Sequence, residues 1–470
     1  MKKSIFYNSL LAIVFAGIIS VTSCGDDNNG PDDPDVPEQP DQPTNPDQPS
    51  QGQAMSPTEQ KERMDAIARE FMGMTPASDF DAYSTLGNYI SDTYGDKYDW
   101  NSVGDWAKDC WNAARKATGN TTTEKDNYGS YVYSEYTALL LASNFTGHFN
   151  AQNGKWVKES GKANDLQFTF NDQNARKCVL KLETSGNVQK VYAANISDWK
   201  DYEWDNATYK YTEYYDRTKC TVGVPENIVV TLTQNGTQIV KTSVKVNLES
   251  LSGENLDISK NSITASTLVE LSNGYKFNLS QVAYSGNQKC SVVYGMSKNN
   301  IKLATVSVAS DVSGIPSCNV EAFSRENFDF DDYNTDYATA KNALVKIDIL
   351  GKLQLQGIVK DARKYSEYID KAEENEENEN KFKQWMNSAN DLMQISLFYD
   401  NTSVQQASMR LEAFSDESWG GRTYWEMEPV LVFFDGSSNS MFDVFFNDTD
   451  FKSTINAFEE LIDKYEDLIK

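Results

Sequence analysis

Between Tyr128 and about Ala309 the apolar residues of this chain fall on every second position, and pairs of Gly and Asn interrupt them at short intervals. A period of two sends successive side chains to opposite faces of a strand. Gly186-Asn187, Asn235-Gly236, Asn273-Gly274 and Asn299-Asn300 supply the positive φ that two-residue hairpin turns demand. The candidate strands are Gly154 to Glu159, Asp165 to Asn171, Lys177 to Glu183, Val188 to Ala194, Asn227 to Thr233, Gln238 to Leu248, Ser262 to Leu271, Tyr275 to Tyr284, Lys289 to Met296 and Lys302 to Ala309. Joined by such turns, they form a long antiparallel meander. VTLTQNGTQIVKTSVKV at 230–246 and VVYGMSKNNIKLATVSV at 292–308 share a strand, an Asn turn and a closing valine alternation, and so read as two related hairpin units in one sheet.

Alternation says which face needs a cover. In Gln238 to Leu248 one parity holds Ile239, Lys241, Ser243, Lys245 and Asn247, the other Val240, Thr242, Val244, Val246 and Leu248, so one face is wet and the other covered. The expected cover is a helical stretch from Tyr337 to Tyr399. Ala340, Leu344, Ile347, Leu350 and Leu353 recur there at helical spacing, followed by Ile358, Ala362, Tyr365 and Ile369. A second run from Lys381 aligns Phe382, Trp385, Met386, Ala389, Leu392 and Met393, and Glu373 to Glu377 between them reads as a solvated helix junction. Strands return at Gln405 to Phe414, Thr423 to Phe434 and Ser440 to Phe446. A helix from about Phe451, striped by Ile455, Phe458, Leu461, Ile462 and Leu468, follows.

Upstream of the meander, Ser56-Pro57-Thr58-Glu59 has the form of a capped helix start, with Met64, Ile67, Ala68, Phe71 and Met72 on one stripe. Helices over Phe80 to Tyr94 and Val103 to Ala117 are expected next, the second placing Trp106 and Trp111 on its buried face. The fold class is therefore α+β: a large curved antiparallel meander (126–330) packed against helices, with an N-terminal helical subdomain (56–125). Residues 331–470 would supply the helical layer, a hairpin and a closing helix.

The first 23 residues have a different character. Lys2 and Lys3 precede an apolar run, Leu10 to Ile19, too short to span a bilayer, and Val21-Thr22-Ser23 lead into Cys24. This resembles a bacterial lipoprotein signal peptide. The resemblance implies cleavage before Cys24, a diacylglyceryl group on its sulfur, and attachment to the outer membrane through that lipid. Asp26 and Asp27 directly after the cysteine are similar to the export signal of surface lipoproteins of the Bacteroidota, which implies display on the cell surface. Residues 24–55, rich in Pro, Asp and Gln, read as an extended acidic tether.

Charge and chemistry narrow the function. With 69 acidic against 43 basic residues, a formal net charge of −26 repels nucleic acid and anionic head groups, so membrane association falls to the lipid alone. The cysteines at 24, 110, 178, 220, 290 and 318 form no C-x-x-C, and lipidation of Cys24 leaves five, an odd number, among which a Cys220 to Cys290 bridge is one option. His148 is the only histidine, without a nucleophile motif beside it, and reads as a turn or strand-edge residue. No phosphate-binding glycine loop occurs. Asp332, Asn334 and Asp336 open like a calcium loop, but Tyr337 stands where glycine is needed and Ala343 where the bidentate glutamate belongs. No metal or cofactor is expected.

The densest unusual segment is WKDYEWDNATYKYTEYY at 199–215. Trp199, Tyr202, Trp204, Tyr209 and Tyr211, interleaved with acids and amides, are the candidate ligand-binding residues, since such a mixture stacks a sugar ring and bonds its hydroxyls. The competing and favoured reading makes the alternating Tyr209, Tyr211 and Glu213 an amphipathic strand packing on the core. The function expected is a non-enzymatic, lipid-anchored binding or scaffold module whose ligand is a glycan, a protein or a hydrophobic small molecule. The alternative is a carrier holding a hydrophobic ligand between sheet and helices, similar at fold level to half-barrel lipoproteins that shield acyl chains. A carboxylate-based glycosidase comes third.

Overall fold

The computed structural model describes residues 54–83, 85–86, several positions between 102 and 113, 124–126, 143–196, 201–206, 209–249, 262–285, 289–311, 341–417, 423–433 and 439–441. The strands in chain order are β1 (Glu124–Asp126), β2 (Gly147–Gln152), β3 (Lys155–Lys158), β4 (Leu166–Asn171), β5 (Lys177–Ile196), β6 (Asp201–Asp205), β7 (Lys210–Gln234), β8 (Thr237–Glu249) and β9 (Ser262–Leu271). They continue as β10 (Tyr275–Ser285), β11 (Lys289–Lys298), β12 (Ile301–Asp311), β13 (Ala343–Ile349), β14 (Leu353–Val359), β15 (Met393–Tyr399), β16 (Ala407–Glu417), β17 (Thr423–Phe433) and β18 (Asn439–Met441). Three of the helices are α1 (Pro57–Met74), α2 (Ala362–Glu373) and α3 (Glu379–Asn390), and further helical positions fall among the described residues of 77–86 and 102–113. The fold is α+β, built on one curved sheet that does not close.

From β7 to β18 each strand pairs antiparallel with the next in sequence. At the other end β5 pairs with β7, β4 with β5, and β2 lies parallel to β4. The sequence expectation of a meander therefore holds. Asn235 (φ 49°) and Gly236 (φ 80°) turn β7 into β8, and Asn299 (φ 51°) and Asn300 (φ 66°) turn β11 into β12. These two hairpins also share a bulge: each pairs two rungs beyond its turn and then skips one residue of the return strand, Ile239 in one and Leu303 in the other. Both skipped side chains enter apolar clusters.

Three expectations are corrected. Residues 343–359 are not helix but the hairpin β13–β14, reversing at Leu350 (φ 56°) and Gly351 (φ 66°). The helical spacing of Leu344, Ile347, Leu350 and Leu353 was coincidental: Ala343, Val345 and Ile347 alternate into the core, and their β-branched neighbours suit a pleated surface. Met393–Tyr399, expected to continue a helix, is β15. It crosses so close to β14 that a Cβ on Gly357 would lie 1.9 Å from the Gln394 carbonyl oxygen, so only glycine fits. Lastly, Gly186-Asn187 is not a hairpin turn. β5 runs straight through it, with Ser185 opposite Asn227 and Val188 opposite Pro225, so two residues face Glu226 alone. Gly186 (φ 83°) makes this a glycine bulge. Pro225, which offers no N–H, sits in the disturbed ladder where its missing donor is tolerated.

Helices α1, α2 and α3 cover one side of the sheet. The capping box at Ser56 forms as expected, with the Glu59 N–H donating to Ser56 Oγ and the Ser56 N–H donating to the Glu59 carboxylate. Met64 and Ile67 of α1 join Phe382 and Met386 of α3 over Val345, Ile347, Leu355 and Ile395. One turn further, Phe71 reaches a separate cluster with Phe80, Leu271, Tyr275 and Leu303, so a single helix ties two parts of the sheet together. A third cluster stacks Phe149 on Phe168 at 5.2 Å, with Trp156 edge-on to Phe168. Trp106 packs there, 4.9 Å from Phe149, as its stripe predicted. Glu374 to Glu377 link α2 to α3 as a largely exposed turn, the solvated junction expected.

Where a strand edge lacks a neighbour, a side-chain amide replaces it. Asn390 Nδ2 donates to the Leu411 carbonyl at 2.8 Å and the Leu411 N–H donates to Asn390 Oδ1 at 2.7 Å. Asn144 treats Gly223 of β7 in the same way at 2.8 and 2.7 Å, and Gln189 of β5 treats Leu248 of β8 at 2.6 and 3.2 Å. Each carboxamide presents one donor and one acceptor, matching a backbone rung. Open edges are thereby satisfied without exposing a pairing template.

Candidate functional site

β7 is 25 residues long and serves two structures. Its C-terminal part, Asn227–Gln234, lies between β5 and β8. At Asn227 the strands separate: β8 continues beside β9 to Glu249, while β7 continues beside β5, rung by rung to Arg217 opposite Ile196, with Asn144 on its other edge at Gly223. The glycine bulge lies at this fork. A bulge bends its strand and raises the local twist, and two residues beyond it Gln189 reaches over the end of β8 to clamp Leu248. Past Arg217, β1 and then β6 accompany β7 to the tip. At about 3.3 Å per residue the stretch from Lys210 to the fork is about 55 Å long.

The tip gathers three of the five aromatic residues singled out in the sequence. Trp204 and Tyr211 are directly opposite across the β6–β7 ladder, their ring centroids 4.8 Å apart at 62°. Tyr209, at the end of the loop in a left-handed conformation (φ 52°), brings its ring to 6.4 Å from Trp204 at 72°. The Trp204 indole N–H donates to Asn206 Oδ1 at 3.0 Å, which fixes the ring's orientation. Tyr209 is 77 % exposed, Tyr211 68 % and Trp204 43 %. The favoured expectation of an amphipathic strand packing on the core is therefore wrong for Tyr209 and Tyr211, and Trp204 is exposed beside them. Strand alternation was read correctly, but no second layer covers this part of the ribbon's described rings.

Tyr202 belongs to β6 and pairs with Glu213; Asp205 pairs with Lys210 beside the rings. Between Asp201 and Arg217 the sequence carries five carboxylates and two cations, so the tip is acidic. Trp199, Cys24, Asp26 and Asp27 lie outside the described residues, as do the calcium-like segment 329–336, Trp100, Trp111 and the closing helix from Phe451. Asn206, which holds Trp204, was not singled out from the sequence; its position two residues after a tryptophan in a hairpin loop was the signal.

Other chemically suggestive groups are consumed by structure. His148 on β2 places Nε2 2.5 Å from Asp165 Oδ1 and Nδ1 3.6 Å from Glu159, and Lys181 lies 3.0 Å from the second Asp165 oxygen. Desolvation pushes the Asp165 carboxyl up, but hydrogen bonds from His148 and Lys181 outweigh it and hold the group below its ordinary value. His148 is thus a hydrogen-bonding residue of an interior strand, with β3 on one side and β4 on the other, rather than the turn or strand-edge residue expected. Cys178 and Cys290 are buried as thiols, which removes the Cys220 to Cys290 bridge. Among the described residues no cluster of three or more His, Cys, Asp or Glu has metal-binding geometry, and no helix is long and apolar enough to cross a membrane. Compared with known proteins, the chain matches no family model, no curated protein and no solved structure.

Proposed function

We propose that this is a non-enzymatic binding module, lipid-anchored to the outer membrane through Cys24 and displayed on the cell surface, that meets its ligand with the tip of the β5–β7 ribbon. The observation that carries the reading is the exposed trio Trp204, Tyr209 and Tyr211, packed edge to face at the β6–β7 end of the ribbon. Large aromatic side chains bring high contact area at little entropic cost, and leaving three of them in water has a use only when something covers them. The ordered pattern from Lys2 to Cys24 and the acidic tether behind it support the anchoring. Between α3 and the sheet the space is occupied by Phe382, Met386, Val345, Ile347 and Ile395, which favours an exposed contact over a hydrophobic ligand carried beneath the sheet.

The test has two arms. Metabolic labelling with a palmitate analogue should mark wild type and not Cys24→Ser, and protease shaving of intact cells should remove the body; an unlabelled or protected protein overturns the anchoring or its side. A photo-crosslinking benzoylphenylalanine at Tyr209 should capture a ligand in intact cells, whereas the same probe at exposed Val157 on β3 should not. Equal or absent capture at both positions overturns the tip as the contact surface.

A further inference from the structure

We infer that the ligand of the tip is a neutral polysaccharide; this rests on the reading of the tip as contact surface. Four observations converge on it. First, Trp204, Tyr209 and Tyr211 are 43 %, 77 % and 68 % exposed, with Trp204 and Tyr211 inclined at 62° to one another. An electron-rich ring face attracts the partial positive charge of C–H groups, and one side of a pyranose is a flat set of such groups. Second, a polar partner for hydroxyls stands beside the rings: Asn206 is exposed and hydrogen-bonded to Trp204, and the adjoining rung of the ladder is Asp205 opposite Lys210. Third, the patch is narrow. A two-stranded ribbon offers strands about 5 Å apart, and its three described exposed rings are far fewer than the roughly 20 to 30 residues a side of a stable protein interface. A polysaccharide chain needs only a few rings' width of contact. Fourth, charge selects among polymers. Five carboxylates against two cations between Asp201 and Arg217, within a chain of net charge −26, repel nucleic acid, anionic lipid surfaces and acidic or sulfated glycans alike.

The experiment is affinity gel electrophoresis of the detergent-solubilised full-length chain through gels containing galactomannan, xyloglucan, dextran or starch, with pectin and chondroitin sulfate as polyanions. At least one neutral polymer should retard the wild type. Trp204→Ala and Tyr211→Ala should each weaken that retardation about tenfold, the loss of one aromatic stack, while Trp204→Phe keeps part of it. Melting temperatures should fall by no more than the loss of an exposed ring pair explains, which separates lost contact from lost fold. Absence of retardation by every neutral polymer, retardation by the polyanions alone, or retardation indifferent to both alanine substitutions overturns the assignment. If the probe at Tyr209 captures a protein while the neutral polymers fail, the contact surface stands and the sugar assignment falls; if both fail, both fall.

Discussion

The helix-covered half of the sheet and the ribbon are made of the same strands, turns and aromatic residues, and they differ in what lies above them. Under α3, Phe382 is 1 % exposed and packs on β-strand side chains; at the ribbon tip Tyr209 is 77 % exposed and touches only its hairpin neighbour among the described rings. In the body an aromatic ring contributes by leaving water. On the ribbon the described rings stay in water, and the backbone ladder between β5, β6 and β7 pairs the strands. The fork at Asn227 is where one regime gives way to the other, and the glycine bulge opposite Glu226 is the device that makes it. The lesson is that a strand's amphipathic pattern describes the strand, whereas its stabilising value is set by the second layer.

That contrast can be broken by mutation. Phe382→Ala should have the largest effect, about 3 to 5 kcal/mol of lost stability in urea unfolding, as for other buried aromatic truncations; a loss under about 1 kcal/mol would mean the helical layer is not what stabilises the body. Asn390→Leu should cost about 2 kcal/mol, because it strands the buried N–H and C=O of Leu411. A neutral outcome there would show that the edge tolerates an open rung and does not depend on its amide.

Asp370 on α2 offers a smaller and pH-dependent test of the body. Burial first, then the Glu374 and Glu367 carboxylates, raise its carboxyl above the ordinary value, and its Oδ2 is buried without a hydrogen-bond partner among the described residues. An acid whose folded pKa exceeds its unfolded one costs stability as pH rises through that interval, beginning at about 4. Asp370→Asn should therefore raise the melting temperature at pH 7, with the gain fading as pH falls below about 4. A gain that is constant with pH would place its origin elsewhere than in the charge. Smallest of all, Trp204→Ala should cost about 1 kcal/mol or less, the worth of an exposed ring pair. A drop in melting temperature comparable to that of Phe382→Ala would abolish the distinction between arm and body.

Much of this was legible in the chain itself, and the exceptions are instructive. Ser56 with Glu59, Asn235-Gly236 and Asn299-Asn300 specify their structures locally, since capping and positive φ are decided within four residues. Residues 343–359 were misread because Leu344, Ile347, Leu350 and Leu353 satisfy a helical period while Ala343, Val345 and Ile347 satisfy a strand period. Both patterns are present, and only a neighbouring strand decides which face is used. Gly186-Asn187 was ambiguous for a related reason: a hairpin turn and a glycine bulge make the same demand for positive φ. Of the candidate site, the aromatic segment was legible, but the favoured core role was wrong for Tyr209 and Tyr211, because nothing in WKDYEWDNATYKYTEYY tells whether a layer lies over it.

By itself, then, the sequence determined the locally decided features: where most hairpins reverse, where α1 begins, which strands alternate, and how acidic the whole is. Only the tertiary structure decided that β5 passes through its glycine without turning, that β13 and β14 join the sheet, and that Trp204, Tyr209 and Tyr211 stand in water. These outcomes depend on contacts between residues far apart in the chain, such as Gln189 with Leu248 or Gly357 with Gln394. Burial is a property of what comes to lie above a surface, and a strand's own residues carry no record of it.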